Sequence, residues 1–119
     1  MVDILMATYN GEAFLEEQVQ SIIAQSFTDW RLLIHDDGST DNTVNILRRL
    51  MQKDKRIQLL EDGISHMGVA RNFIHLVTCT SAPYCMFCDQ DDIWLPNKVE
   101  EMLSEIKQYS QDLFAISLL

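Results

Sequence analysis

The segment CDQDDIW, Cys88–Trp94, places Asp89, Asp91 and Asp92 within four positions, directly after the apolar run APYCMF. Clustered carboxylates normally sit on solvated loops, where their mutual repulsion is small. This cluster is flanked instead by a run that reads as a buried strand and by Ile93 and Trp94, both expected to be buried. In extended chain, residues i and i+2 point to the same side, so Asp89 and Asp91 can face one site. Such a pair suits Mg2+ or Mn2+, which need one or two protein carboxylates and take substrate phosphate oxygens and water at their other positions. The competing reading is an Asp-rich turn in which Asp92 bonds nearby backbone amides. A D-x-D triplet is by itself a weak signal.

Two further polar groups follow apolar runs. DDGSTD (Asp36–Asp41) contains turn-to-cap chemistry in Asp37-Gly38-Ser39, which explains the glycine and serine but not the doubled acid. As an acceptor-only group, Asp37 also suits the imide N–H of a pyrimidine base or a ribose hydroxyl, and on composition the turn reading and this one stand level. In ATYNGE (Ala7–Glu12), Gly11 fits a turn, Asn10 fits the cap of a following helix, and Tyr9 is either packing or a surface on which a base stacks. Arg71 and Asn72 lie near the start of a third helical pattern, where a surface arginine is the plain reading.

These groups need elements to hold them. VDILMA (Val2–Ala7), RLLIHD (Arg31–Asp36), IQLLE (Ile57–Glu61), YCMFC (Tyr84–Cys88) and LFAISLL (Leu113–Leu119) are short apolar runs, suited to strands covered on both faces. Between them run helical stripes: Phe14, Leu15, Val19, Ile22 and Ile23; Val44, Leu47, Leu50 and Met51; Val69, Ala70, Phe73, Ile74 and Val77; Val99, Met102, Leu103 and Ile106. Ser39 or Thr40 is expected to cap the second helix, with Asp41 against its dipole, and Pro96 to open the fourth. The alternation predicts a three-layer α/β/α domain with a mainly parallel, Rossmann-like sheet. In such sheets ligands bind beyond the carboxyl ends of the strands, where all three polar groups fall. An edge that gathers so many acids calls for a hard dication to neutralise them.

Composition narrows the classes. A chain of 119 residues, 47% hydrophobic and 23% charged, supports one domain with a real core. Nine Lys+Arg against eighteen Asp+Glu give a net charge of −9, which argues against nucleic acid or an anionic membrane as partners. No apolar stretch approaches the ~20 residues of a membrane span. The N-terminus lacks the basic region of a signal peptide. The expected location is cytoplasmic, at or away from the inner face of the membrane. Cys85-x-x-Cys88 has no second pair to complete a zinc site, so Cys79, Cys85 and Cys88 are expected to be buried reduced thiols. His35, His66 and His75 show no ligand spacing to one another and read as structural or surface histidines.

Taken in order, Thr8-Tyr9-Asn10, Asp36–Asp41, Gly68 with Ala70-Arg71-Asn72, and Asp89–Pro96 resemble the N-terminal half of glycosyltransferase family 2, which has the GT-A fold. The gap between Gly68 and Ala70 is shorter than the family pattern. The DQDDIWLP form is similar to bacterial transferases that build cell-surface polysaccharide, and the resemblance runs from residue 2 to about 119. It implies transfer of a sugar from a nucleotide diphosphate donor, UDP- or dTDP-linked, to a saccharide or lipid-linked acceptor hydroxyl, with inversion and with Mg2+ or Mn2+. It assigns Thr8, Tyr9, Asn10, Asp37, Arg71 and Asp89 to the nucleotide, Asp91 and Asp89 to the metal, and Asp92 to the donor sugar or to a structural contact. It also implies that residues 1–119 are the donor-binding part and that the catalytic base lies beyond Leu119. An uncovered last strand would favour association of copies.

Two rivals come from other classes. A receiver domain needs an acidic pair after its first strand and a lysine after its fifth; here the first strand ends in ATYN. A non-catalytic nucleotide-binding module on the same fold is the stronger alternative. A P-loop enzyme is excluded by the lack of G-x-x-x-x-G-K.

Overall fold

A computed structural model of the chain describes residues 1–89 and 92–109. The order of elements is β1 (Val2–Thr8), α1 (Leu15–Ile23), β2 (Trp30–Asp36), α2 (Thr43–Lys53), β3 (Ile57–Leu59), α3 (Val69–Thr78), β4 (Tyr84–Cys88) and α4 (Lys98–Tyr109). The strands form a parallel sheet in the order β3-β2-β1-β4. The expected α/β class and parallel sheet are observed. The fifth expected strand, Leu113–Leu119, lies outside the described residues.

β1 sits between β2 and β4, and all seven of its residues are buried. That is why VDILMAT is almost continuously apolar rather than alternating. The exception, Asp3, is fully buried and lies opposite Arg31 in the sheet register. Arg31 donates to both carboxylate oxygens, at 3.0 and 2.6 Å, and the Thr80 hydroxyl donates as well. A buried charge persists only with such partners.

Side chains alternate across the sheet with period two. Val2, Ile4, Met6, Trp30, Leu32, Ile34, Met86 and Cys88 point to one face and pack on α1, α2 and α4. Leu5, Ala7, Leu33 and Cys85 point to the other face, which among the described residues is covered by α3 through Leu76 and Phe73. No helix among the described residues is long and apolar enough to cross a membrane.

Several local expectations are corrected. In α3 the buried residues are Asn72 and Leu76, whereas Val69, Ile74 and Val77 of the expected stripe are exposed. The helix is turned so that the Asn72 amide reaches His35, through its oxygen at 2.8 Å and its nitrogen at 2.9 Å, while Phe73 of the stripe packs on the sheet. Asn10 does not cap α1; its backbone is left-handed, with φ 48°, and its side chain accepts from Thr40 N–H at 2.8 Å. Neither Ser39 nor Thr40 caps α2; Asp41 accepts from the N–H and hydroxyl of Thr43, the first residue of that helix. Pro96 precedes α4 by two residues, and its carbonyl accepts from Ser26 N–H. Trp94 is buried as expected, but Ile93 is half exposed. Of the thiols, Cys85 and Cys88 are buried and Cys79 is exposed where α3 ends.

Candidate functional site

The strand order reverses at β1: successive strands add on one side to β3, and β4 then adds on the other. Such a switch point opens a crevice beyond the carboxyl ends of the strands. Here Thr8 ends β1 and Tyr9 follows it, Asp37 follows β2, and Asp89 follows β4. All four line one small hollow of about 60 Å³, closed at the back by Asn72 and Phe73 of α3. Ligand sites usually run to ~300–1,000 Å³, so this hollow seats part of a nucleotide rather than the whole. A wider groove of about 820 Å³, between the Asp92–Leu95 segment and α4, shares none of the four.

The two acids after β2 divide the work. Asp36 builds the turn: it accepts from Gly38 N–H at 3.2 Å, Ser39 N–H at 2.8 Å and the Ser39 hydroxyl at 2.6 Å. It also accepts at 2.7 Å from the hydroxyl of Thr8, its register partner on β1. Asp37 faces the other way and is buried. Its two oxygens accept from Met67 N–H at 2.7 Å and Gly68 N–H at 2.9 Å, fastening the segment before α3 over the turn. Gly38 has φ +90°, and a Cβ there would meet the His66 imidazole at 3.0 Å. The doubled acid thus holds two loops together; Asp36 is filled by its four donors, whereas Asp37, with one donor on each oxygen, keeps lone pairs for another.

The acid-rich loop is held from below by α1. Gln18, fully buried on an otherwise apolar stripe, donates to the carbonyl of Asp89. Ser21 accepts from Trp94 N–H at 3.1 Å. Gln25 donates to Leu95 O at 2.7 Å and accepts from Val99 N–H at 3.0 Å. Three polar residues at i, i+3 and i+7 therefore line up under the loop. Sequence reasoning missed them, although polar side chains interrupting an apolar stripe are a readable signal. The Asp89 carboxylate is left exposed, on the rim of the hollow.

Asp92 is half-buried, and its N–H donates to Asp89 O at 3.2 Å. Burial, reinforced by the charge of Asp92, pushes the Cys88 thiol up to about 12. Burial lowers Lys98, against the pull of Asp92. Arg71 is exposed on the first turn of α3 and does not line the hollow. Asn10 joins the two loops above it, donating its own N–H to Ser39 Oγ at 2.8 Å. Asp91 lies outside the described residues.

One cluster is not anticipated by spacing. His35 is buried, at 1% side-chain exposure, and lies 2.9 Å from one oxygen of Asp62; His75 lies 2.6 Å from the other. The histidines are therefore not isolated. The hydrogen bond from His35 holds Asp62 below the usual carboxylate range.

A parallel α/β sheet with these loops at its carboxyl edge is the GT-A glycosyltransferase fold. TarS of S. aureus in complex with UDP superposes with a TM-score of 0.79 at 20% identity, over 91% of this chain and 32% of that one. The mannosyltransferase PcManGT from Pyrobaculum calidifontis, in complex with GDP-Man and Mn2+, gives 0.71 at 23% identity, over 78% and 28%. Residues 3–118 match the family described as glycosyl transferase family 2, and the chain belongs to that family. It is 40% identical over 102 residues to the dTDP-rhamnosyl transferase RfbG of Shigella flexneri, covering 82% of this chain and 35% of that protein. It is 35% identical over 104 residues to the UDP-Glc:alpha-D-GlcNAc-diphosphoundecaprenol beta-1,3-glucosyltransferase WfgD of Escherichia coli, covering 87% and 40%. The chain thus spans well under half the length of these two relatives.

Proposed function

We propose that residues 1–119 form the donor-binding part of a glycosyltransferase that moves a sugar from a UDP- or dTDP-linked donor to a saccharide or lipid-linked acceptor hydroxyl, with inversion. The observation that carries this reading is the convergence of Thr8, Tyr9, Asp37 and Asp89, from three strand ends, on one hollow at the switch point. Relatives named for dTDP-rhamnosyl and UDP-glucosyl transfer support the donor class, and the proposed role is cell-surface polysaccharide synthesis on the cytoplasmic side.

In this reading the base enters beside Tyr9, a residue 46% exposed at the rim. Asp37 offers its remaining lone pairs to a base N–H or ribose hydroxyl while fixing the opposite loop. Asn10 holds the β1 and β2 loops in register, and Arg71 approaches the nucleotide from the start of α3. Asp89 reaches from the end of β4, and Asp92 shapes the loop beside the donor sugar. Hard carboxylate oxygen at an exposed rim fits Mg2+ or Mn2+, so Asp89, with Asp91 as the principal ligand, would hold the ion. Such an ion supplies neutralisation of the charge that develops on the leaving diphosphate. The catalytic base is assigned to no residue of this chain.

Calorimetry with UDP and dTDP, with and without Mn2+, tests the reading. Expected is metal-dependent binding that weakens at least tenfold in Asp89→Asn. No binding of either nucleotide at millimolar concentration would overturn it. Sugar transfer by the 119-residue chain alone is expected to be negligible. Nucleotide binding by a longer form that never transfers sugar would favour the non-catalytic module.

A further inference from the structure

We infer that His35, Asp62 and His75 form a binding site for a divalent transition-metal ion of the zinc type, separate from the acid rim. Three parts of the fold supply the donors: His35 is the penultimate residue of β2, Asp62 lies beyond β3, and His75 lies on α3. The three ligating atoms lie within 4.8 Å of one another.

The tautomer of His35 carries the argument. The Asn72 amide nitrogen donates to the His35 carbonyl at 2.9 Å, which turns the amide oxygen toward His35 Nδ1 at 2.8 Å. Nδ1 must therefore carry a hydrogen, and a neutral ring then presents the lone pair of Nε2. That lone pair faces Asp62 Oδ1 at 2.9 Å. Two acceptors at this distance need something positive between them. A proton would suffice for His35 alone. His75 Nε2 points at the other oxygen of the same carboxylate, at 2.6 Å, so two imidazoles and one carboxylate face a common point. The two rings meet edge to face, with centroids 4.8 Å apart.

Two imidazoles and a carboxylate are the donor set of zinc, cobalt and nickel rather than of magnesium. Metal-bound histidines characteristically donate their other ring N–H to a fixed acceptor, which orients the ring; Asn72 does this for His35. At a tetrahedral ion, two bonds of ~2.0–2.1 Å set the donor atoms about 3.3 Å apart, and a rotation of His75, the outer ring at 22% exposure, brings the set to that spacing. Bound metal would tie β2 and α3 to the segment that begins at Asp62. That segment ends in the Met67 and Gly68 amides that hold Asp37.

The experiment titrates the protein at pH 7.5 with Co2+, followed by visible absorption, and with Zn2+, followed by calorimetry and thermal melting. One equivalent is expected to bind and to raise the melting temperature. His75→Gln and Asp62→Asn should each weaken binding at least tenfold, with circular dichroism showing both folded. Asp89→Asn and Cys79→Ser should bind as the parent does, which separates this ion from the donor site and from thiol ligation. If instead neither metal binds below millimolar concentration, or binding survives His75→Gln, the proposal is overturned. Nitrogen-15 spectra that show His35 protonated at both ring nitrogens and unchanged by Zn2+ would also overturn it.

Discussion

Replacing Asp37 by Asn tests whether the doubled acid is a structural clamp. The carboxylate is 7% exposed and accepts two backbone N–H groups, at 2.7 and 2.9 Å. Hydrogen bonds to a charged group contribute ~1.5–3 kcal/mol each, and neutral ones about 1. Asn keeps one acceptor oxygen but turns its NH2 toward the second N–H, leaving that amide unpaired. Two charged bonds lost against one neutral bond kept, offset by the easier burial of an uncharged amide, give a loss of about 2–4 kcal/mol. With a urea slope near 2 kcal/mol per M, the unfolding midpoint falls by about 1–2 M. Should the segment before α3 open locally, the same energy appears as exchange of the Met67 and Gly68 amides roughly 30- to 1,000-fold faster. Urea denaturation and residue-resolved hydrogen exchange read the two outcomes. A midpoint within about 0.3 M of the parent, with both amides equally protected, would refute the clamp.

Asp3→Asn strips Arg31 of its buried partner and should cost about 2–4 kcal/mol, seen as a lower urea midpoint at unchanged slope; a neutral result would mean that Arg31 re-pairs. Ile74→Ser lies on the exposed face of α3, at 64% exposure, and should change stability by no more than about 0.5 kcal/mol. A loss above about 1 kcal/mol would show that face to be packed in solution. Thiol reactivity should split the cysteines. With Cys88 raised to about 12, its reactive thiolate is only about one part in a thousand at pH 9, so Cys79 alone should react with a disulfide reagent until the protein is unfolded. Rapid modification of Cys88 in the folded state at that pH would contradict its burial.

The local code of the chain was sufficient for the sheet and for where its acids fall. Apolar runs of strand length, alternating with helical stripes, allow few arrangements once crossovers keep one hand. Three of the polar groups follow such runs directly, so the carboxyl edge was readable before any coordinate. Spacing could also have revealed Gln18, which breaks the apolar stripe of α1.

Contacts between elements were beyond that code, because they depend on register and on helix rotation. Thr8 meets Asp36 only because parallel pairing sets those two side by side. α3 turns Asn72 and Leu76 inward, with Asn72 on His35, a rotation that hydrophobic periodicity alone does not give. His35 and Asp62 are 27 positions apart, and Asp62 and His75 are 13. No spacing rule joins them; they meet because a strand end, the segment after a second strand and a helix face converge at one corner of the fold. Sequence determined which groups lie at the edge of the sheet, and tertiary packing alone decided which of their atoms touch.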